Sequence, residues 1–343
     1  MPNINPLNPF KEYDIISEYR WRNNYAVLYQ DKQDKNKYFL DSNNLRCAMT
    51  VLRSMGLDVS DVADANPRHF VTPPLFPLSR KGGFNTVSKG IIDSKKHKVI
   101  LDYKDIEKNH TGFIIEGERL IKRAIDDRLM LKNIIYSNKS NLEKDGYIQK
   151  AACACYLSNE GIMSAVSNSK PVPPEIAACI MPQYDLEAIL YGEYTSLLIT
   201  DSINNPDNLG LVIRTADACG ADAVIVTGTG AAPYHKNCVR AARGAIGRLP
   251  VLYYPDGKSI INKLKSAGIK IIGTSAHAEI IIDKISETDI TKKFAAIIGS
   301  ESFGMSAEIS SICDINIKIE MANGQSSLNV AVAAGIILNR LII

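Results

Sequence analysis

The sequence has no long apolar run, no paired Cys-x-x-Cys sites and little excess charge of either sign. A membrane-spanning helix needs ~20 consecutive apolar residues, and no run here reaches that length. Met1 to Phe10 is polar and punctuated by proline, without the basic-then-apolar order of a secretory signal. The seven cysteines, an odd number, are scattered at 47, 153, 155, 179, 219, 238 and 313. A reducing, cytoplasmic setting is therefore expected, with Cys153 and Cys155 as small buried residues and no metal. Lys plus Arg number 40 against 37 Asp plus Glu, so a polyanionic partner must be met by a local basic surface rather than by net charge. A Walker loop is also absent, as is a Gly-x-Gly-x-x-Gly turn after the first strand. A nucleotide-dependent α/β enzyme would lack its phosphate cradle.

What is present is enough chain, 343 residues with 45% apolar, for two or three domains at the usual ~100–200 residues each. Residues 1–100 read as an N-terminal extension of unassigned role. Within it, Tyr19-Arg20-Trp21-Arg22-Asn23-Asn24-Tyr25 interleaves cations and aromatics, either as a single-strand RNA binder does or as an amphipathic surface with rings turned to a core. Asp41-Ser42-Asn43 is placed to cap a helix running through Met55. Pro67 to Gly83, with four prolines and two glycines, reads as an irregular connection.

Residues 101–190 take on an α/β pattern: strand Phe113-Ile114-Ile115, a helix with Leu120, Ile121, Ala124 and Ile125 on one face, strand Leu131 to Tyr136, and a closing strand from Ile176. Residues 191–343 alternate strand and helix throughout, with strands at Leu197–Thr200, Ala223–Val226, Val251–Tyr254, Ile269–Gly273, Phe294–Ile298 and Ile315–Ile319. That alternation predicts a parallel sheet with helices on both faces, whose ligands collect at the carboxyl ends of the strands.

Three turns at such ends carry the chemistry. The first, Asp201 to Ala216, opens a helix bearing Asn208 and Arg214, six positions apart and so offset by roughly 120°. The second, Ile298-Gly299-Ser300-Glu301-Ser302-Phe303-Gly304, sets Glu301 between glycines that admit a close ligand. The third, Asn323-Gly324-Gln325-Ser326-Ser327-Leu328-Asn329-Val330, feeds a final apolar helix. It reads equally as an ordinary helix cap and as a polar binding site at a helix start.

In order and spacing these turns strongly resemble the signature motifs of the SpoU-type (TrmH-family) RNA methyltransferases of the SPOUT superfamily. The first has the family's Asn-x-Gly and Arg-Thr-Ala, the second its Gly-x-Glu-x-x-Gly, and the third its Ser-Leu-Asn-Val. Val239 to Ala245 and Arg248-Leu249-Pro250-Val251 resemble the family's middle segment. Glu116-Gly117-Glu118-Arg119-Leu120-Ile121 is similar to the small RNA-substrate-binding domain ahead of the catalytic one. The resemblance spans roughly residues 102–343.

It implies transfer of a methyl group from S-adenosylmethionine to a ribose 2′-hydroxyl of ribosomal or transfer RNA, by a homodimer whose C-terminal part forms a trefoil knot. It also implies a catalytic group of Arg214, Asn208, Glu301, Ser327 and Asn329, the last four holding the arginine. Thr274, Gly299, Ile319, Met321 and Leu328 match cofactor-binding positions. Arg240 and Arg243, three apart on one helical face, would meet the RNA backbone. Glu320 stands where the family usually has proline, and a non-catalytic RNA-binding protein on the same scaffold is the alternative if that change spoils the cofactor loop.

Overall fold

The computed structural model describes residues 13–21, 24–31, 38–42, 89–109, 111–127, 129–151, 153–167, 169–182, 184–190, 194–285, 292–322 and 327–342. Two compact units emerge, Met1–Gly82 with Asp185–Thr195, and Gly83–Tyr184 with Ser196–Ile343. The first contains an antiparallel sheet of β1 (Tyr13–Trp21), β2 (Asn24–Asp31) and β3 (Tyr38–Ser42) in that order. Within the cation–aromatic cluster, Arg20 lies opposite Tyr25 and Trp21 opposite Asn24 in the antiparallel pairing of β1 with β2. Asp41 and Ser42, expected to cap a helix, instead pair with Val27 and Ala26 in β3. The helix expected through Met55 and the segment 67–83 lie outside the described residues.

In the second unit a five-stranded sheet has the order β4-β7-β6-β8-β5, built from β4 (Lys89–Ile91), β5 (Gly112–Glu116), β6 (Leu131–Tyr136), β7 (Ala154–Leu157) and β8 (Glu175–Ile180). Helix α1 (Lys98–Asn109) sends Val99, Ile100, Tyr103 and Ile106 into a core with Ile114, Ile135, Ile176 and Ala178. Tyr103 is fully buried. Its hydroxyl accepts the Ala178 N–H at 3.0 Å, so the polar end of the ring has a partner, while burial pushes its pKa well up. Helix α2 (Glu118–Asp126) buries Ile121 and Ala124, the face its sequence predicts.

The seven-stranded sheet has the order β11-β10-β9-β14-β12-β15-β13, from β9 (Thr195–Asp201), β10 (Ala223–Thr227), β11 (Val251–Tyr254), β12 (Lys270–Thr274), β13 (Ile280–Ile281), β14 (Lys293–Ile298) and β15 (Ile315–Lys318). β11–β10–β9 run parallel, as do β14–β12–β15–β13. All seven residues of β9 and all five of β10 are buried, as expected of parallel strands covered on both faces. The helices are α3 (Pro206–Cys219), α4 (Lys236–Ala242), α5 (Gly257–Ser266), α6 (Ala307–Ile312) and α7 (Val330–Ile342).

Both sheets of this unit meet along the segment from Tyr234 to Arg248. Phe113 of β5 lies against Tyr234 with ring centroids 5.1 Å apart, and Leu120, Leu129, Val239 and Ile246 line one apolar seam. Arg248 spans that seam, reaching Asp127 just after α2 at 3.8 Å and pairing closely with Asp217 on α3.

Helix α3 is specified at both ends. Asn205 accepts the Asp207 and Asn208 N–H groups at 2.9 and 3.4 Å, Pro206 takes the first turn, and Gly220 closes the helix in the left-handed conformation. Gly210 sets its distance from α4. A Cβ there would lie 2.3 Å from the Cys238 carbonyl oxygen and 2.7 Å from Ala241 Cβ. Helix propensity alone favours Gly→Ala by ~1 kcal/mol, but backbone contact must dominate here. Gly210→Ala is expected to destabilise by about 1–3 kcal/mol, the usual range for overpacking, as measured by urea unfolding.

Candidate active site

Three neighbouring strands of the larger sheet end at Thr274 (β12), Ile298 (β14) and Lys318 (β15), and being parallel they end on the same side. Thr274 and the residues just beyond the other two strands, Gly299 and Ile319, therefore lie at one edge. Thr274 is tied to it, its hydroxyl donating to the Ile297 carbonyl at 2.8 Å. β9 reaches the same place: the Ser306 N–H donates to buried Asp201 at 2.8 Å, which joins the end of β9 to the chain leaving the loop after β14.

That loop is tight. Ser300 and Gly304 exchange two backbone hydrogen bonds of 2.9 Å, and Gly304 has φ +66°. Gly299 is required by the turn itself, because a Cβ there would stand 1.9–2.2 Å from the backbone of Gly304 and Met305. Next to it, a Cβ on Gly273 would meet the side chains of Asn316, Cys313 and Met305. Burial pushes the Cys313 thiol up to about 11, so it stays protonated at neutral pH.

Residues from all three motifs meet in one row. Asn208 Nδ2 donates to Glu301 Oε1 at 2.7 Å, Asn329 Nδ2 donates to Asn208 Oδ1 at 3.2 Å, and Asn329 Oδ1 accepts the Ala331 N–H at 2.9 Å. Asn329 thus caps α7 while bonding Asn208, so the cap and the site are one feature. Residues 323–326 lie outside the described residues. Ser327 and Leu328 are exposed, and Ser327 has no hydrogen-bond partner among the described residues.

Two expectations change. Asn208, Glu301, Ser327 and Asn329 were to hold Arg214, but among the described residues Arg214 forms no hydrogen bond or ion pair. Its offset from Asn208 along α3 turns it to the exposed side of the helix with Leu211. Arg240 and Arg243 do not share a helical face. α4 stops at Ala242, and Arg243 is its C-cap in the left-handed conformation, φ +48°. Arg240 is paired with Asp207 at 3.1 Å. Along 319–321, Ile319 and Met321 are half-buried while Glu320 is exposed, so the charge in proline's place points to water. Asp201 was missed as a site anchor. An aspartate closing an apolar strand was the available signal.

The SpoU rRNA Methylase family matches residues 195–339. The 23S rRNA (guanosine(2553)-2'-O)-methyltransferase RlmP of Bacillus subtilis is 31% identical over 256 residues, covering 73% of this chain and 98% of that protein. The chain belongs to the SpoU family. Two solved structures share its fold. The SpoU methyltransferase AviRb from Streptomyces viridochromogenes, in complex with AdoMet, is 24% identical, covers 72% of this chain and 97% of its own, and has a TM-score of 0.64. The AdoMet-bound rRNA methyltransferase from Sinorhizobium meliloti is 23% identical, covers 74% and 97%, and has a TM-score of 0.65.

Gly299 lies in a turn that leaves no room for a side chain. Overpacking of this kind costs about 1–3 kcal/mol of folding stability. Gly299→Ala is expected to lower stability by that amount in urea unfolding, with an unchanged far-UV circular dichroism spectrum in the absence of urea.

Proposed function

We propose that this protein methylates a ribose 2′-hydroxyl of ribosomal RNA, using S-adenosylmethionine, and that the strand-end edge around Gly299 is its cofactor site. The observation that carries this reading is the hydrogen-bonded row Glu301–Asn208–Asn329, which draws one polar residue from each signature motif to one place. The residues present fit a nucleoside cofactor. Half-buried Ile319 and Met321 offer apolar walls, Leu328 flanks them in sequence, and Gly299 and Thr274 bring backbone to the strand ends. Exposed Glu320 leaves those walls intact, which removes the motive for a non-catalytic protein.

S-adenosylmethionine supplies an electrophilic methyl group. The protein's part is to hold the hydroxyl in line and to dispose of its proton. A guanidinium such as that of Arg214 is a poor base. It serves better by orienting the hydroxyl and the adjoining phosphate and by stabilising charge there. Arg243, exposed at the end of α4, and Arg240 beside Asp207 supply contacts to the RNA backbone.

The working form in this reading is a homodimer. Leu328, just ahead of α7, and Val332 and Ile336 on it recur every fourth residue and are 38%, 51% and 38% exposed, forming an apolar stripe. Exposed Leu211 lies on α3, which packs against α7, and Arg214 is on the same side of α3. A second copy covering this face would bring Arg214 of one chain towards the polar row of the other and complete each site. We further propose that the C-terminal part threads a trefoil knot, in keeping with β14 lying between β9 and β12. Residues 101–190 are proposed as the small RNA-binding domain, 191–343 as the catalytic domain and 1–100 as an extension. The setting is cytoplasmic, as the six described cysteines, none of them in a disulfide, suit a reducing compartment.

Purified protein should transfer labelled methyl groups to ribosomal RNA from cells lacking the gene, and absence of transfer would remove the proposal. Arg214→Ala is expected to lower kcat by about 10²–10³-fold, the scale of a lost electrostatic donor, with S-adenosylhomocysteine affinity unchanged. Val332→Asp should convert the dimer to a monomer in sedimentation velocity and abolish transfer.

A further inference from the structure

We propose that Phe303 stacks on a nucleobase of the RNA beside the ribose being methylated. This deepens the methyltransferase reading and rests on it. Phe303 is 88% exposed, the most exposed large apolar side chain among the described residues. It follows Glu301 by two positions, and Glu301 is bonded to Asn208 at 2.7 Å, so the turn that carries the ring is tied to the polar row.

Its support is short and fixed. Ser300 and Gly304 close the turn with two 2.9 Å backbone bonds, and the Phe303 N–H donates to Ser300 Oγ at 3.3 Å. The turn fixes the backbone that carries the ring, so only the side chain's own rotations remain to be lost when something settles on it. Glu301, Ser302 and Gly304 around it are all exposed, so Phe303 does not continue an apolar run of its own loop, unlike Val332 and Ile336 along α7. An isolated aromatic beside polar groups suits a flat, polar-edged base better than an apolar protein surface. Unstacked bases in RNA are commonly received by aromatic side chains in this way.

The test compares the unaltered protein with Phe303→Ala, Phe303→Leu, Phe303→Tyr and Phe303→Trp. The readouts are KM and kcat for ribosomal RNA from cells lacking the gene, calorimetric affinity for S-adenosylhomocysteine, and sedimentation mass. Loss of one base–aromatic stack is expected to raise KM for RNA about tenfold or more in the Ala and Leu variants. Tyr and Trp should recover most of it, with cofactor affinity and mass unchanged throughout. A Leu variant with wild-type KM would overturn the proposal, since apolar bulk rather than a π-face would then suffice. So would an effect that follows cofactor affinity or loss of the dimer. Failure of the unaltered protein to methylate RNA overturns the underlying reading, whereas transfer undiminished by Phe303→Leu overturns this inference alone.

Discussion

One side-chain amide holds the three signature segments together. Asn208 donates to Glu301, 93 residues away, and accepts from Asn329, 121 residues away. A carboxylate at one end and a backbone N–H at the other fix the direction of the row, because the first accepts and the second donates. Asn208 must therefore turn its nitrogen towards Glu301 and present its oxygen to Asn329. Asn329 must in turn give up its nitrogen, which leaves its own oxygen for the Ala331 amide at the start of α7. The acceptor on the second loop and the donor at Ala331 thus agree on the orientation of two amides and the cap of the last helix. A neutral partner in place of Glu301 would remove one of these two constraints and leave the Ala331 N–H alone to hold the row's direction.

Much of the larger sheet was legible because its strands are apolar runs of four to seven residues separated by helices with strong end signals. Asn205, Pro206 and Gly220 mark α3 in the sequence as plainly as in the structure. What escaped had weak local signals or depended on distant contacts. Ile280–Ile281 and Lys89–Ile91 are too short to show a period, and they are strands only because β15 and β7 lie alongside. Asp41 and Ser42 carry capping chemistry, but pairing with β2 prevails over that local preference. Arg243 departs from helical spacing because the chain turns left-handed at that residue, which no periodicity announces.

The candidate site was legible in its membership more than in its geometry. Resemblance named Asn208, Glu301 and Asn329 together, and they do touch. It also placed Arg214 among them, whereas the helix carries that side chain outward among exposed apolar groups. Positions along a sequence say which residues belong to a site, but not whether one chain is enough to assemble it. The stripe formed by Leu328, Val332 and Ile336 looks like surplus apolar surface until it is considered beside an arginine that has no partner among the described residues.

Arg248 joins the two sheets of the larger unit at a single guanidinium, with Asp127 on one side and Asp217 on the other. Asp217 lies on the helix that also carries Asn208 and Arg214, and Asp127 directly follows α2 of the smaller sheet. Neither sheet can then swing about the seam without drawing one carboxylate away from that shared guanidinium.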